Sequence, residues 1–241
     1  MQLKGKIALV TGGNRGLGFE VCHQLLNLGA TVVMTSRSEN KGEEALNCLR
    51  SRGNLDEQVS RLFLHSLDVC NDQEPQQLAQ WIHSRFGKLD LLINNAGVAL
   101  DQFVLSQDLS LDLLRTTLET NVIGVFKVTQ ALIPLLKASG DARIVNVSSQ
   151  LGSLSTMTGY TLAYRMSKSA LNAMTRVWAA EFKDDKILVN SVCPGWVRTD
   201  LGGSQAPVSP EEGAQKIVEL ALLASDGVTG TFRRDGVDHP W

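Results

Sequence analysis

Residues Ile7-Ala-Leu-Val-Thr-Gly-Gly-Asn-Arg-Gly-Leu-Gly18 join a short apolar run to a glycine-rich turn, and a helical pattern follows as far as Gly29. Four consecutive apolar residues are typical of a strand buried on both faces of a sheet. Glycines let the backbone turn sharply and approach a ligand, and the start of a helix offers free N–H groups to an anion. No Lys-Ser/Thr pair follows, so the turn is not a Walker loop. It predicts a pyrophosphate site, or a tight connection without a ligand.

Short runs rich in Val, Ile and Leu alternate with segments of helical period along the rest of the chain. This alternation without a linker predicts one α/β domain over residues 1–241. Its fold class is Rossmann-type and doubly wound, a mostly parallel seven-stranded sheet with helices on both faces. The predicted strands are 7–11, 31–35, 62–67, 89–94, 144–148, 187–192 and 230–233, and the predicted helices are 17–28, 41–52, 73–86, 111–138, 160–182 and 210–223.

Composition excludes several classes of function. The chain is 43% hydrophobic and 20% charged with a net charge of −2, and it has no basic run, which argues against a nucleic-acid partner. Its four cysteines lack metal or redox spacing and its amino terminus lacks a signal-peptide pattern, so we expect a cytoplasmic setting and no metal. Residues 144–164 are uncharged but rich in polar side chains, so we expect a strand, a loop and the start of a helix there and no membrane partner.

The end of the second predicted strand, Met34-Thr-Ser-Arg-Ser38, bears on the choice of dinucleotide. An acidic residue at this point typically binds a free ribose 2′-hydroxyl, whereas arginine binds a 2′-phosphate. No carboxylate occurs before Glu39, and Arg37 together with Arg15 of the turn could hold a phosphate. We therefore predict NADP(H) as the cofactor; the alternative is that both arginines are merely solvated.

Tyr164-Arg-Met-Ser-Lys168 places one of the two tyrosines four positions before a lysine. On a helix these positions share one face, so the ammonium lies near the phenol. A free phenol has a pKa of about 10, and a nearby positive charge lets it exchange a proton closer to neutral pH. The pair predicts a catalytic acid, or an ordinary pair on a helix surface.

Seven motifs occur in one order: Thr11-Gly-x-x-x-Gly-x-Gly18, Asp68-Val69, Asn94-Asn-Ala-Gly97, Asn121-Val-Ile-Gly, Asn146-Val-Ser-Ser149, Tyr164-x-x-x-Lys168 and Pro194-Gly195. Over nearly its whole length the chain thus resembles the short-chain dehydrogenase/reductase family. Cys193-Pro-Gly-Trp-Val-Arg-Thr-Asp200 and Val32-Val-Met-Thr-Ser-Arg37 are most similar to its carbonyl-reductase-like branch. That branch is typically linked to NADPH, in agreement with the arginines.

The resemblance implies four catalytic residues. Tyr164 matches the proton donor, and Lys168 matches the lysine that lowers the phenol pKa and holds the nicotinamide ribose. Ser149, chosen over Ser148, matches the serine that hydrogen-bonds the substrate carbonyl. Asn121 matches the asparagine that orders a helix and a water of the proton relay.

The cofactor contacts are predicted from the turn, from the second strand and from the matched motifs. The resemblance assigns Asp68 to adenine, Asn94 to a ribose and Thr199 to the carboxamide. The full predicted set is Gly12, Asn14, Arg15, Gly16, Leu17, Gly18, Arg37, Asp68, Val69, Asn94, Ala96, Gly97, Tyr164, Lys168, Pro194, Gly195, Val197 and Thr199.

The leading functional hypothesis is an NADPH-dependent carbonyl reductase that transfers hydride to hydrophobic ketones or aldehydes and reversibly oxidises alcohols. The alternatives are a 3-oxoacyl-thioester reductase of lipid synthesis and a non-catalytic NADP-binding sensor. The expected partner is a small-molecule carbonyl substrate. Four residues follow strand ends and either line an apolar substrate pocket or simply pack: Leu151, Met157, Tyr160 and Trp196.

The interval between Ser149 and Tyr164 is longer than the spacing common in the family, so we expect this loop to bulge into the substrate site. The resemblance also implies a homodimer or homotetramer, assembled through the long helices at 111–138 and 160–182. The insertion that animal carbonyl reductases carry before the tyrosine is missing, so their monomeric state is not inferred for this chain.

Overall fold

The structure is a computed structural model that describes residues 2–52 and 60–241. Within this part of the chain, eight strands form one sheet in the order β3-β2-β1-β4-β5-β6-β7-β8. The strands are β1 (Ile7–Val10), β2 (Thr31–Ser36), β3 (Leu62–Ser66), β4 (Leu91–Asn94), β5 (Ala142–Val147), β6 (Ile187–Cys193), β7 (Phe232–Arg234) and β8 (Val237–Asp238). Strands β1 to β7 are parallel, and β8 is antiparallel to β7. The predicted doubly wound, mostly parallel fold is confirmed.

Helices cover both faces of the sheet. They are α1 (Gly16–Asn27), α2 (Glu39–Arg52), α3 (Glu74–Phe86), α4 (Leu111–Leu118), α5 (Gly124–Ser139), α6 (Leu162–Glu181) and α7 (Pro210–Ala221). Side chains of α1, α2 and α7 meet one face of β1 at Ala8 and Val10. Those of α3, α5 and α6 meet the other face at Ile7 and Leu9. Successive strand residues point to opposite faces, so a continuous apolar run fills both cores.

The predicted seven strands omitted β8. This strand has only two residues, too few to show an alternating pattern. Its turn, Asp235-Gly236, has φ angles of 52° and 78°, the left-handed backbone that a two-residue hairpin requires. An Asp-Gly pair is thus the local signal for the extra strand.

Two predicted helices differ from the observed ones. The helix predicted at 111–138 is interrupted by a π-helical turn, Glu119–Ile123, between α4 and α5. The helix predicted at 160–182 begins later, because Tyr160 and Thr161 have φ angles of 64° and 59°. Helix α7 begins at a capping box formed by Ser209 and Glu212.

Residues Leu111–Ser139 are long and apolar enough, at a mean hydropathy of 1.4, to meet the length and composition criteria for a membrane-spanning helix. In this structure Val128, Leu132 and Leu136 of that run are buried in the core beneath the sheet. A core helix of a globular protein meets the same criteria.

The carboxyl ends of the central strands bring the motifs together. Strand β1 lies between β2 and β4, so the strand order runs in opposite directions on its two sides, toward β3 on one and toward β8 on the other. The glycine turn after β1, Asn94 at the end of β4, and Ser149 after β5 therefore share one edge of the sheet. Open α/β sheets bind ligands at such a switch point.

The Gly18→Ala substitution tests the tight packing of the first turn. A Cβ at Gly18 would lie 2.3 Å from the Gly12 carbonyl oxygen and 2.4 Å from Asn95 Nδ2. We expect this overpacking to lower the free energy of unfolding by about 1–3 kcal/mol, measured by urea denaturation. Gly159→Ala is the control, because a Cβ there meets nothing within 4 Å. Equal stability of the two variants would contradict the packing described.

Candidate active site

The glycine turn is fixed to the end of β4 by hydrogen bonds. Thr11 Oγ1 accepts from the backbone N–H groups of Asn95 and Ala96, each at 3.0 Å. Asn95 Nδ2 donates to the carbonyl oxygens of Thr11 at 2.8 Å and Gly12 at 3.1 Å. The two motifs therefore form one rigid unit at the switch point.

The turn has the properties of an anion cradle. Gly12 and Gly16 have φ angles of 63° and 53°, and a Cβ at Gly16 would lie 3.2 Å from Thr199 Cγ2. Helix α1 starts at Gly16 without a side-chain cap and without an acidic residue in its first turn. Its free N–H groups and positive dipole end therefore suit a diphosphate. These residues fit the phosphate portion of a dinucleotide.

Arg15 and Arg37 differ in their surroundings. Arg15 Nη1 lies 2.7 Å from Asp200 Oδ2, and both side chains are largely exposed. Arg37 is exposed, and no hydrogen bond or ion pair joins it to the described residues. An exposed ion pair stabilises by about 1 kcal/mol at most, so Asp200 does not lock Arg15 away from a phosphate.

Tyr164, Ser149 and Lys168 lie together. The Ser149 side chain is close enough to the Tyr164 phenol to lower its pKa. Lys168 Nζ lies 5.5 Å from the centre of the Tyr164 ring and donates to the Val147 carbonyl oxygen at 2.8 Å. Burial raises the pKa of Tyr164 to about 12 and lowers the pKa of Lys168 to about 8.

The expectation that Lys168 lowers the phenol pKa is not met by this arrangement, in which the pKa of Tyr164 is raised. Removal of the phenolate from water is the dominant effect, and the interaction with Ser149 opposes only part of it. The Lys168 ammonium is turned toward Val147 instead of the phenol oxygen. A further positive charge near the phenol would lower its pKa.

The two serines after β5 have different surroundings. Ser148 is buried, and its hydroxyl donates to Asn172 Oδ1 at 2.7 Å. Ser149 is half-buried, and its oxygen accepts from the Leu151 N–H at 3.2 Å. Of the two hydroxyls, that of Ser149 is therefore the more accessible.

Asn121 connects two elements of the site. It lies in the π-helical turn, where its carboxamide accepts from Val98 N–H and donates to Val98 O, both at 2.8 Å. It also donates to Ser167 Oγ on α6 at 3.0 Å. A Cβ at Gly97 would lie 3.1 Å from Asn121 Oδ1 and 3.7 Å from Lys168 Nζ, so both groups border the same narrow space.

Asn94 lies at the sheet edge, but its side chain points away from that edge. Its side chain is buried and donates to Thr129 Oγ1 at 3.1 Å and Asn146 Oδ1 at 2.9 Å, inside the core. A contact of this carboxamide with a ribose is incompatible with that direction. The adjacent Asn95 reaches the glycine turn instead. Two consecutive asparagines do not reveal from sequence which one points outward.

The remaining predicted residues lie at the same sheet edge. Asp68 Oδ1 accepts from the Cys70 N–H at 3.0 Å, and Val69 is buried against Gly124. Asn14, Leu17, Ala96, Gly97, Gly195 and Thr199 are half-buried around the turn, whereas Pro194 and Val197 are buried. Of the predicted substrate residues, Leu151 is half-buried and Met157, Tyr160 and Trp196 are exposed.

Sequence reasoning missed two buried charged residues beside the catalytic helix. Asp101 accepts from Ala163 N–H at 2.7 Å and Tyr164 N–H at 3.3 Å, and so caps α6. Arg165 lies in α6 with its side chain buried. No local pattern pairs Asp101 with a helix that starts 61 residues later, at Leu162. A charged residue between Tyr164 and Lys168 was the available signal for Arg165.

Comparison with known proteins gives a consistent picture. Residues 6–208 match the family model described as short chain dehydrogenase. The (+)-neomenthol dehydrogenase of Capsicum annuum is 32% identical, over 94% of this chain and 95% of that protein. The carbonyl reductase (NADPH) 1 of Rattus norvegicus is 35% identical, over 98% of each. The NADPH-bound carbonyl reductase from chicken fatty liver superposes with a TM-score of 0.88 at 30% identity, covering 99% of this chain and 95% of that chain.

The low pKa of Lys168 predicts an unusual dependence of stability on pH. The folded pKa of about 8 lies below the ordinary value of 10.5, so the unfolded chain binds more protons between these pH values. Protonated Lys168 therefore destabilises the fold below pH 8, and this cost disappears as the pH rises toward 10.5. We expect the stability of wild type, relative to Lys168→Met, to increase by up to about 3 kcal/mol from pH 7 to pH 10 in urea denaturation.

Lys127→Met is the matched control. Hydrogen bonds to Asp72 and Glu119 raise the pKa of Lys127, so its contribution is fully present below 10.5. The stability difference between wild type and Lys127→Met should stay constant from pH 7 to pH 10. A constant difference for Lys168→Met as well would show that Lys168 has an ordinary pKa.

Proposed function

The chain belongs to the short-chain dehydrogenase family, and we propose that it is an NADPH-dependent carbonyl reductase acting on hydrophobic ketones or aldehydes. The observation that carries the proposal is the proximity of the Ser149 and Tyr164 hydroxyls, with Lys168 Nζ 5.5 Å from the centre of the Tyr164 ring. These groups lie at the same sheet edge as the start of α1, which has no side-chain cap. The names of the rat and chicken carbonyl reductases support the cofactor and the reaction class. The reverse reaction is alcohol oxidation.

The cofactor is proposed to bind along the carboxyl edge of the sheet. The N–H groups at the start of α1 would hold its diphosphate, and Arg15 and Arg37 would hold the 2′-phosphate. When bound, NADP(H) supplies the hydride and, in its oxidised form, a positive charge beside the phenol. A positive charge there would lower the raised pKa of Tyr164.

Ser149 and Tyr164 are proposed to polarise the substrate. Both hydroxyls donate hydrogen bonds to the carbonyl oxygen, on which negative charge develops as hydride reaches carbon. Tyr164 then gives its phenolic proton to that oxygen, so that the carbonyl becomes an alcohol. Lys168, with a pKa of about 8, is suited to return a proton to the phenolate near neutral pH. Asn121 holds α6 and the loop after β4 together through its hydrogen bonds to Ser167 and Val98.

A panel of carbonyl compounds tests the reaction class. Purified protein is mixed with NADPH or NADH and with hydrophobic ketones, aldehydes or 3-oxoacyl thioesters, and the loss of reduced-cofactor absorbance is followed. We expect oxidation of NADPH with the free ketones and aldehydes. Reaction with thioesters alone would favour a role in lipid synthesis, and no reaction with any carbonyl would favour a sensor.

The Tyr164→Phe variant tests the proton donor. Without the phenolic proton, kcat should fall by about 100-fold or more, while the Kd for NADPH, measured by fluorescence titration, stays within twofold. Tyr160→Phe is the control, because Tyr160 is the other tyrosine of the chain and lies in the exposed loop before α6. Near wild-type turnover of Tyr164→Phe would contradict the assignment.

The Asp200→Asn variant tests the phosphate contact of Arg15. Asp200 competes with a 2′-phosphate for Arg15 and repels it. Removal of this carboxylate should tighten NADPH binding by up to about fivefold, the value of an exposed ion pair, and leave NADH binding unchanged. An equal change for both cofactors would place the 2′-phosphate away from Arg15.

The proposal includes a cytoplasmic setting, a single domain over residues 1–241 and assembly as a homodimer or homotetramer. Free thiols support a reducing compartment: Cys22, Cys48, Cys70 and Cys193 are all unpaired.

Exposed apolar side chains along the long helices support assembly, namely Ile123, Phe126, Met166 and Val177.

A further inference from the structure

Arg165 directly follows the catalytic tyrosine, and its side chain is buried with 7% exposure. Its Nε donates to the Tyr160 carbonyl oxygen at 2.8 Å, and its Nη2 donates to Thr158 Oγ1 at 2.8 Å and to the Gly159 carbonyl oxygen at 3.2 Å. Its Nη1 lies 3.9 Å from Met157 Sδ. One guanidinium therefore contacts four consecutive residues of the loop before α6.

Within the described part of the chain, this buried charge has no acidic partner. Among the ion pairs of residues 2–52 and 60–241, none includes Arg165. Burial of a guanidinium without a carboxylate is unfavourable unless neutral acceptors satisfy its N–H groups. The loop supplies those acceptors. The planar fork of arginine suits several acceptors at fixed angles, which the single ammonium of lysine does not.

The backbone around Arg165 is strained. Tyr160 and Thr161 have φ angles of 64° and 59°, and Phe103 in the facing loop has 62°. Side chains other than glycine rarely adopt this region, β-branched threonine least of all, and such residues persist only where their surroundings enforce the conformation. Here Thr161 N–H donates to the Val104 carbonyl oxygen at 3.2 Å, and Arg165 holds the loop from the opposite side.

The loop held by Arg165 leads directly into the first turn of α6, which carries Tyr164. It lies between Ser149 and Tyr164 and carries Met157 and Tyr160, both exposed. We propose that Arg165 is a specificity-determining positioning residue, which holds residues 157–160 as a preformed apolar wall that favours bulky, rigid ketones over small aldehydes. This inference rests on the proposed carbonyl reductase function. The contacts of Arg165 with the loop support this proposal, because they attach the loop that would contact the substrate to the helix that carries Tyr164.

The test compares Arg165→Met and Arg165→Lys with wild type, and uses Arg176→Met, an exposed arginine on the same helix, as the control. The probes are NADPH with cyclohexanone derivatives bearing bulky alkyl groups and with propanal. Hydrogen exchange of residues 157–164 reports the loop independently of turnover. Arg165→Lys keeps the charge and serves alone if Arg165→Met does not fold.

For Arg165→Met we expect at least tenfold faster exchange at residues 157–161 and at least a tenfold loss of kcat/KM for the bulky ketones, mainly through KM. The kcat for propanal and the Kd for NADPH should stay within threefold, and Arg165→Lys should lie between wild type and Arg165→Met. Unchanged exchange would overturn the positioning role. Faster exchange with an unchanged ratio of bulky to small substrates would overturn the specificity role. A wild type inactive with every carbonyl would instead reject the proposed function.

Discussion

The start of α6 depends on one buried carboxylate that comes from elsewhere in the chain. Asp101, in the loop after β4, accepts hydrogen bonds from the Ala163 and Tyr164 N–H groups. These are groups that a helix leaves without internal partners. Because α6 begins there, Tyr164, Arg165 and Lys168 all take their positions from this contact. The same loop also contacts Asn121 through Val98, so one segment orients both the start of α6 and the Asn121 side chain.

Burial, more than direct attraction between Tyr164 and Lys168, determines the electrostatics of the site. Exclusion of water disfavours both charged forms, which raises the phenol pKa and lowers the ammonium pKa. Burial thus shifts Tyr164 and Lys168 toward their neutral forms, although Lys168, with a pKa of about 8, is still mostly protonated at pH 7. A cationic group beside the phenol shifts the balance toward phenolate, so a cofactor whose charge changes during turnover would control when the proton leaves.

The fold was predictable because its signals are local. The apolar run 7–10, the glycine turn and the alternation of strands and helices each depend on neighbouring residues, and the structure confirms the parallel sheet. The exceptions depend on distant contacts. Thr161 is left-handed because Val104, Asp101 and Arg165 hold it and its neighbours, and nothing near Thr161 in sequence signals this. For the same reason the sequence showed the motif of Asn94 and Asn95 but not the directions of their side chains.

The transfer of a labelled hydride tests the account most directly. Wild-type protein is incubated with NADPH carrying two deuterium atoms at C4 of the nicotinamide and with a hydrophobic ketone, and the alcohol is examined by mass spectrometry and NMR. The account predicts one deuterium on the carbinol carbon. An alcohol without deuterium at that carbon, or no alcohol at all, would contradict it.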